Sequence, residues 1–246
     1  MTSPFDTFQL AGLHLRNRVI KAATFEGMSP AGEVSPALIR HHRDIAAGGA
    51  AMTTLAYCAV SPDGRTFRDQ LHMRPALVPG LRLLTDAVHH EGAAASLQLG
   101  HCGFFCNNPE LVRRRPFGPS RALNLLGALS GRPLADAMTL ADIETVTQQF
   151  VAAAVLARES GFDAVELHLG HGYLLSQFLS PATNRRTDEH GGTLAARARF
   201  PLAVVERVRA ALPPGFPVLA KVNLRDGFRG GLELADSVQL ARWLAA

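Results

Sequence analysis

Cysteine is scarce in this sequence: Cys58, Cys102 and Cys106 are the only three in 246 residues, too few for a disulfide framework. Cys102 and Cys106 stand in HCGFFCNN with three residues between them, not the two usual in zinc and cluster motifs, so reduced thiols are expected. No run of about 18 apolar residues could cross a bilayer, and no charged-then-apolar leader opens the chain. A cytoplasmic protein without a membrane partner is expected. Blocks of like charge are also missing: net charge is +4, yet the basic residues are scattered apart from Arg113-Arg114-Arg115 and Arg185-Arg186. That dispersion suits an enzyme with an anionic cofactor as well as it suits a weak nucleic-acid binder, and no nucleic-acid partner is expected. No GxGxxG follows the first predicted strand, which removes the usual dinucleotide signature of an open doubly wound sheet.

With 47% hydrophobic and 19% charged residues, the chain can bury a sizeable core. Apolar runs and helical periodicity alternate along it. Strands are expected over 19–23, 51–56, 94–99, 164–168 and 218–222. Helices are expected over 36–47, 78–91, from Leu140 behind a Thr139 cap with Asp142 three residues on, over 194–212, and from Leu234 onward. Residues 100–138 form a connection too long for a plain loop and are expected to wall a pocket. Strand-helix alternation predicts a parallel sheet with right-handed crossovers. Polar residues close nearly every strand, which favours a TIM-type (β/α)8 barrel over an open sheet. Only five βα units are countable in residues 1–246, read as the N-terminal part of one barrel domain. The missing staves are expected either from sequence beyond Ala246 or from a partner chain.

The densest chemistry lies in VELHLGHGYLLSQFLSP and the TNRRTDEHGG that follows. Alternation along the strand puts Glu166 and His168 on one face, and His171 can join them if the chain turns at Gly170 or Gly172. Tyr173 follows two residues later, so two imidazoles and a phenol are expected around one pocket. A Zn²⁺ site from Glu166, His168 and His171 is the competing reading of the same residues. Asn184–Asp188 is expected to brace a loop, and Arg113–Arg115 to be solvated.

Asn17-Arg18-Val19-Ile20, Tyr57-Cys58-Ala59-Val60-Ser61-Pro62-Asp63-Gly64-Arg65, Leu97-Gln98-Leu99-Gly100-His101 and above all HLGHGYLLSQFLSPATNRRTDEHGG resemble the Old Yellow Enzyme family of NADH:flavin oxidoreductases, which includes 2,4-dienoyl-CoA reductases. The resemblance implies an FMN-binding (β/α)8 barrel that takes hydride from NAD(P)H and reduces an activated alkene, a small molecule such as an enone, nitroalkene or dienoyl thioester. It implies that Ala22, Ala23, Thr24 and Phe25 line the flavin, that Tyr57 contacts it, that Gln98 meets its pyrimidine edge and that Lys221 stands by N1 and O2. His168 and His171 would hold the substrate oxygen and Tyr173 would donate a proton. Homo-oligomer formation is left open, and no resident metal is implied. Phe25 replaces a small polar residue of many relatives, Tyr57 is larger than usual, and the phosphate loops of the last two strands fall outside residues 1–246. The alternative reading is a non-catalytic, incomplete barrel that needs a partner chain.

Overall fold

In the computed structural model, which describes residues 2–246, the chain enters through an antiparallel hairpin, β1 (Phe8–Leu10) and β2 (Leu13–Leu15). Then come β3 (Ile20–Lys21), β4 (Met52–Ala59), β5 (Ala94–Gly100), three short strands β6 (Phe117–Gly118), β7 (Ala122–Leu123) and β8 (Leu134–Ala137), and finally β9 (Ala164–Leu169) and β10 (Val218–Val222). The helices are α1 (Pro36–Ala47), α2 (Val78–His90), α3 (Leu140–Glu159), α4 (Leu174–Leu179), α5 (Leu194–Ala211) and α6 (Leu234–Ala245). One five-stranded sheet runs β10-β9-β5-β4-β3, and every pairing in it is parallel. Strands that neighbour in space therefore follow in chain order, with helices in between. That is the winding of a (β/α)8 barrel, and five of its staves are present.

Residues paired across a parallel ladder share a face, so the registers sort the strands into an inner and an outer layer. Met52 pairs with Ala94 and Ser96 with Ala164. These residues face inward, and the hairpin residue Leu15 packs onto Met52, Ala94 and Ala164 to close the floor. Further along the same inner face the pairs become polar: Gln98 with Glu166, then His168 with Lys221. The opposite face carries Leu55, Leu97, Leu99, Val165, Leu167 and Leu169, which join the helices in the main core. The site therefore sits where the inner wall turns polar, at the carboxyl ends of the strands.

Local chemistry fixes the helix starts. The Ser35 hydroxyl accepts from the Leu38 amide, and Thr193 accepts from Ala196. Thr139 and Asp142 cap α3 reciprocally, side chain to backbone in both directions, which satisfies two amides that the helix leaves bare.

Several expectations need correction. The first strand is only Ile20–Lys21, and residues 22–29 leave the sheet as irregular chain. β4 continues to Ala59, with a register shift between Leu55 and Cys58 that carries Ala56 and Tyr57 on a bulge. Within 100–138, β8 pairs with both β6 and β7, so this wall is a small sheet rather than a loop. Arg113 is not simply solvated: it pairs with Asp142 at 2.7 Å and covers the Phe117 ring at 4.7 Å. Arg186 braces its loop as expected, donating to the carbonyls of Pro119 and Met138 and pairing with Asp188.

Candidate active site at the carboxyl ends of the strands

β9 delivers His168 to the end of the inner wall, where it is buried. The strand stops at Leu169, and the chain turns back through His171 at φ 57° and Gly172 at φ 71°. The left-handed conformation of His171 is unusual for a residue with a Cβ. It is held by Asn223, whose side-chain oxygen accepts from the His171 amide at 2.9 Å. Tyr173 then caps α4. The result is an aromatic cluster in which the His168 ring centroid lies 4.9 Å from both His171 and Tyr173.

The chain's two tyrosines face one another across this cluster, 5.1 Å apart. Tyr57 is buried, 6.0 Å from His168, and its hydroxyl donates to the Gly64 carbonyl at 2.9 Å. Its ring fits only because position 100 has no side chain: a Cβ there would stand 2.2 Å from Tyr57 Cε2. Phe105 completes the cluster with its ring 5.8 Å from Tyr173.

Burial lowers the His168 pKa to about 3, with the His171 and Lys221 charges acting in the same direction. The imidazole is therefore neutral, and its Nδ1 is buried without a hydrogen-bond partner among the described residues. Burial and Lys221 also hold His171 below its ordinary value, and burial holds the Tyr173 phenol above its own. Two neutral imidazoles and a protonated phenol can donate hydrogen bonds without carrying formal charge.

The other residues singled out from sequence divide into two groups. Lys221 Nζ donates to the Ala23 carbonyl at 2.8 Å, which ties β10 to the segment after β3 across the mouth of the sheet. Gln98 donates to Glu166 at 2.7 Å, and Ser96, on the same inner face, has a buried hydroxyl with no partner among the described residues. These stand together with His168 on the inner wall. Ala22 and Thr24 are exposed, and Phe25 is 51% exposed against Phe67 rather than drawn inward. The zinc reading fails on geometry. Among the described residues, the group whose ligand atoms converge is Glu26, His41 and His42, not Glu166, His168 and His171.

Glu26 belongs to a network that the sequence did not reveal. Lys21 Nζ bonds Glu26 and the Thr54 carbonyl, and Glu26 also accepts from the Ala56 amide at 3.4 Å and lies 3.4 Å from His42. Burial alone would raise the Glu26 carboxyl, but the neighbouring His42 ring and the bonded Lys21 outweigh it and hold the group below its usual range. Lys21 supplies the counter-charge that a metal would supply, so the trio reads as a brace. It occupies backbone groups beside the β4 bulge, the irregularity that carries Tyr57.

A parallel wall of a (β/α)8 barrel, apolar at its floor and polar at the carboxyl ends of its strands, defines a barrel enzyme site. The chain belongs to the NADH:flavin oxidoreductase / NADH oxidase family, whose model matches residues 4–246. It is 48% identical over 246 residues to a 4,4'-dithiodibutanoate disulfide reductase of Rhodococcus erythropolis, covering 99% of this chain and 59% of the relative. It is 32% identical to an NADPH dehydrogenase of Listeria monocytogenes serotype 4a, covering all of this chain and 71% of that protein. Among solved structures, morphinone reductase in complex with tetrahydroNAD superposes with a TM-score of 0.87 at 27% identity, covering 99% of this chain and 71% of the other. The chain thus spans only part of the length of each of these relatives.

Proposed function

We propose that this chain forms the substrate-facing wall of an FMN-dependent oxidoreductase that takes hydride from NAD(P)H and reduces a C=C bond conjugated to a carbonyl or nitro group. The observation that carries this reading is the cluster at the end of β9: neutral, buried His168 with an unpartnered Nδ1, and His171 and Tyr173 around it.

The residues present fit a flavin. Lys221 offers a cation, Gln98 an amide, Ser96 an unpartnered hydroxyl, Tyr57 an aromatic face, and Ala22 and Ala23 a segment with almost no side-chain bulk. These groups, with Thr24 and Phe25 at the rim, would hold it. When bound, FMN supplies hydride transfer between nicotinamide and substrate. The chain's own contribution is electrostatic and protic. His168 and His171 would donate N–H bonds to the substrate oxygen and stabilise negative charge as it develops there. Their neutrality means that this binding does not depend on protonation near pH 7. Tyr173, whose phenol burial keeps protonated, would give its proton to the carbon next to the activating group. Lys221 would stabilise negative charge on the reduced cofactor from a fixed position.

Tyr173→Phe is the direct test. Reduction of the flavin by NAD(P)H should stay near the wild-type rate, while alkene reduction should fall by roughly 10²–10⁴-fold, the usual range for a lost general acid. Equal losses in both half-reactions would refute the proton-donor role.

A second substrate class has one observation in its favour: the 48% identity to a protein named as a disulfide reductase. In that reading the same wall would present a disulfide, rather than a C=C bond, to the reduced cofactor.

A further inference from the structure

Three arginines converge on a cavity that the chemistry above leaves unused. Arg115, Arg121 and Arg185 line a space of about 700 Å³, and Asp136 supplies the one carboxylate of its lining. Arg115 gives that carboxylate a single long contact, at 3.4 Å. Among the described residues, the guanidinium groups of Arg121 and Arg185 have neither an ion pair nor a hydrogen bond. The hydrogen bond that Arg185 does make comes from its backbone amide, which donates to Ser120 Oγ at 2.9 Å. Like charges gathered around one space repel each other, and an anion seated among them turns that repulsion into attraction. Guanidinium groups are also the side chains whose planar fork matches a carboxylate or a phosphate.

The backbone around these arginines is tied down. Arg121 immediately precedes β7, and the amide of Arg185 is bonded to Ser120, the residue before it. Arg186, next to Arg185, holds the Pro119 and Met138 carbonyls. The rest of the lining is largely apolar. Leu123 and Leu134 stand opposite each other in the β7–β8 pairing and line the space, both exposed to solvent. Phe104 and Thr183 line it too, and both also line a second cavity of about 510 Å³ whose wall includes His171 and Gly172. Both cavities open to the surface and they meet at Phe104 and Thr183. A flexible molecule with one end at His171 therefore has a course past these two residues to the arginines.

We propose that the cavity of Arg115, Arg121 and Arg185 binds the anionic end of the substrate, a carboxylate joined by an apolar chain to the group that reacts at His171. The arginines would take the carboxylate, and Leu123, Leu134 and Phe104 would cover the chain. The apolar lining favours such a chain over a dinucleotide, whose riboses and pyrophosphate bring little apolar surface to bury. No bond is made or broken in this cavity; it selects and orients. The placing of the reacting group at His171 rests on the function proposed above, whereas the recognition of the anion does not.

The test begins with binding and needs no turnover. Calorimetric titration of the protein with 10-oxoundecanoate, a ketone with a distal carboxylate, is compared with titration of its methyl ester. The acid should bind roughly tenfold more tightly than the ester, as charge-assisted hydrogen bonds to a carboxylate allow. Arg121→Gln and Arg185→Gln should each weaken the acid by roughly threefold, the range of a partly exposed ion pair, and leave the ester unchanged. Arg185→Lys should recover most of the loss, and added salt should weaken the acid alone. In turnover with NADPH and flavin, Arg185→Gln should raise KM for 10-oxoundec-8-enoate at unchanged kcat and leave its methyl ester unaffected. Equal affinity for acid and ester would overturn the proposal. So would an equal loss for both ligands in the variants, which is the mark of a structural role, or variants that weaken NADPH and spare the acid, which would give the site to a nicotinamide phosphate. Arginine-dependent binding of the acid in a protein that reduces neither enone would uphold this site and overturn the C=C reduction proposed above.

Discussion

Space matters as much as charge for single residues of this site. Gly100 ends β5 directly beneath the Tyr57 ring, and any Cβ there would collide with it at 2.2 Å. Tyr57 cannot simply swing aside, because it is buried and its hydroxyl is bonded to the Gly64 carbonyl. Gly100→Ala should therefore destabilise the chain by about 1–3 kcal/mol, the usual cost of overpacking, read as a lower urea midpoint at unchanged slope. An unchanged midpoint would mean that the ring has room to move. Legibility in the sequence followed the same line between local and distant partners. His168, His171 and Tyr173 lie within six residues, and the glycines that turn the chain between them are visible in the sequence. Glu26 and His42 were not legible, because one lies in irregular chain and the other on α1, while their partners Ala56 and Thr53 lie on β4. Asn223, which holds His171 in its left-handed conformation, comes 52 residues later.

Elements with explicit end signals were the readable ones. Thr139 and Asp142 announce α3, and the structure has both halves of the reciprocal cap. Thr139→Ala removes the hydroxyl that accepts from the Asp142 amide, at the start of the 20-residue helix whose inner face carries Ile143, Val146 and Phe150. The expected cost is about 1 kcal/mol, seen as a lower melting temperature with unchanged helical circular dichroism at 20 °C. No shift in melting temperature would show that the Asp142 side chain alone caps the helix. The hairpin β1–β2 and the helix α4 went unread for a physical reason. Strands of three residues and a helix of six are shorter than the stretches, about four alternating residues for a strand and about eleven for a helix, over which these patterns can be read. The small sheet inside 100–138 was hidden in the same way, since its strands have two, two and four residues.

Acid sensitivity is a property of the whole molecule, set by imidazoles that the fold keeps neutral. His101 and His168 are both buried, and burial depresses each from 6.5 to about 3. Below the unfolded value of 6.5 the unfolded chain takes up protons that the folded chain refuses. Stability is therefore full above that pH and is lost as pH falls toward the folded values. The slope approaches about 1.4 kcal/mol per pH unit for each histidine once it is charged only in the unfolded state. Glu26 and Asp142 are held below their usual values and weaken the fold only further into acid, so the first loss below pH 6.5 belongs to the histidines. Urea unfolding at pH 7.5, 6.0 and 5.0 should show stability falling through this series, and a flat profile would mean that these rings are charged or hydrated in the folded state. The barrel wall itself was legible from strand-helix alternation, because that pattern repeats along the entire chain.

Gln177 ties two turns of the molecule together. Its side-chain amide donates to the carbonyls of Cys102 and Gly172, and its oxygen lies 3.2 Å from the Phe104 amide. One planar group thus fixes the height of the turn after β5 relative to the turn after β9. Neither turn can be lengthened, shortened or transplanted as an independent module, and a loop exchange at either place would have to carry position 177 with it. Glutamate would be the most disruptive isostere, since it keeps the shape while replacing two donors with an acceptor that faces two carbonyl oxygens.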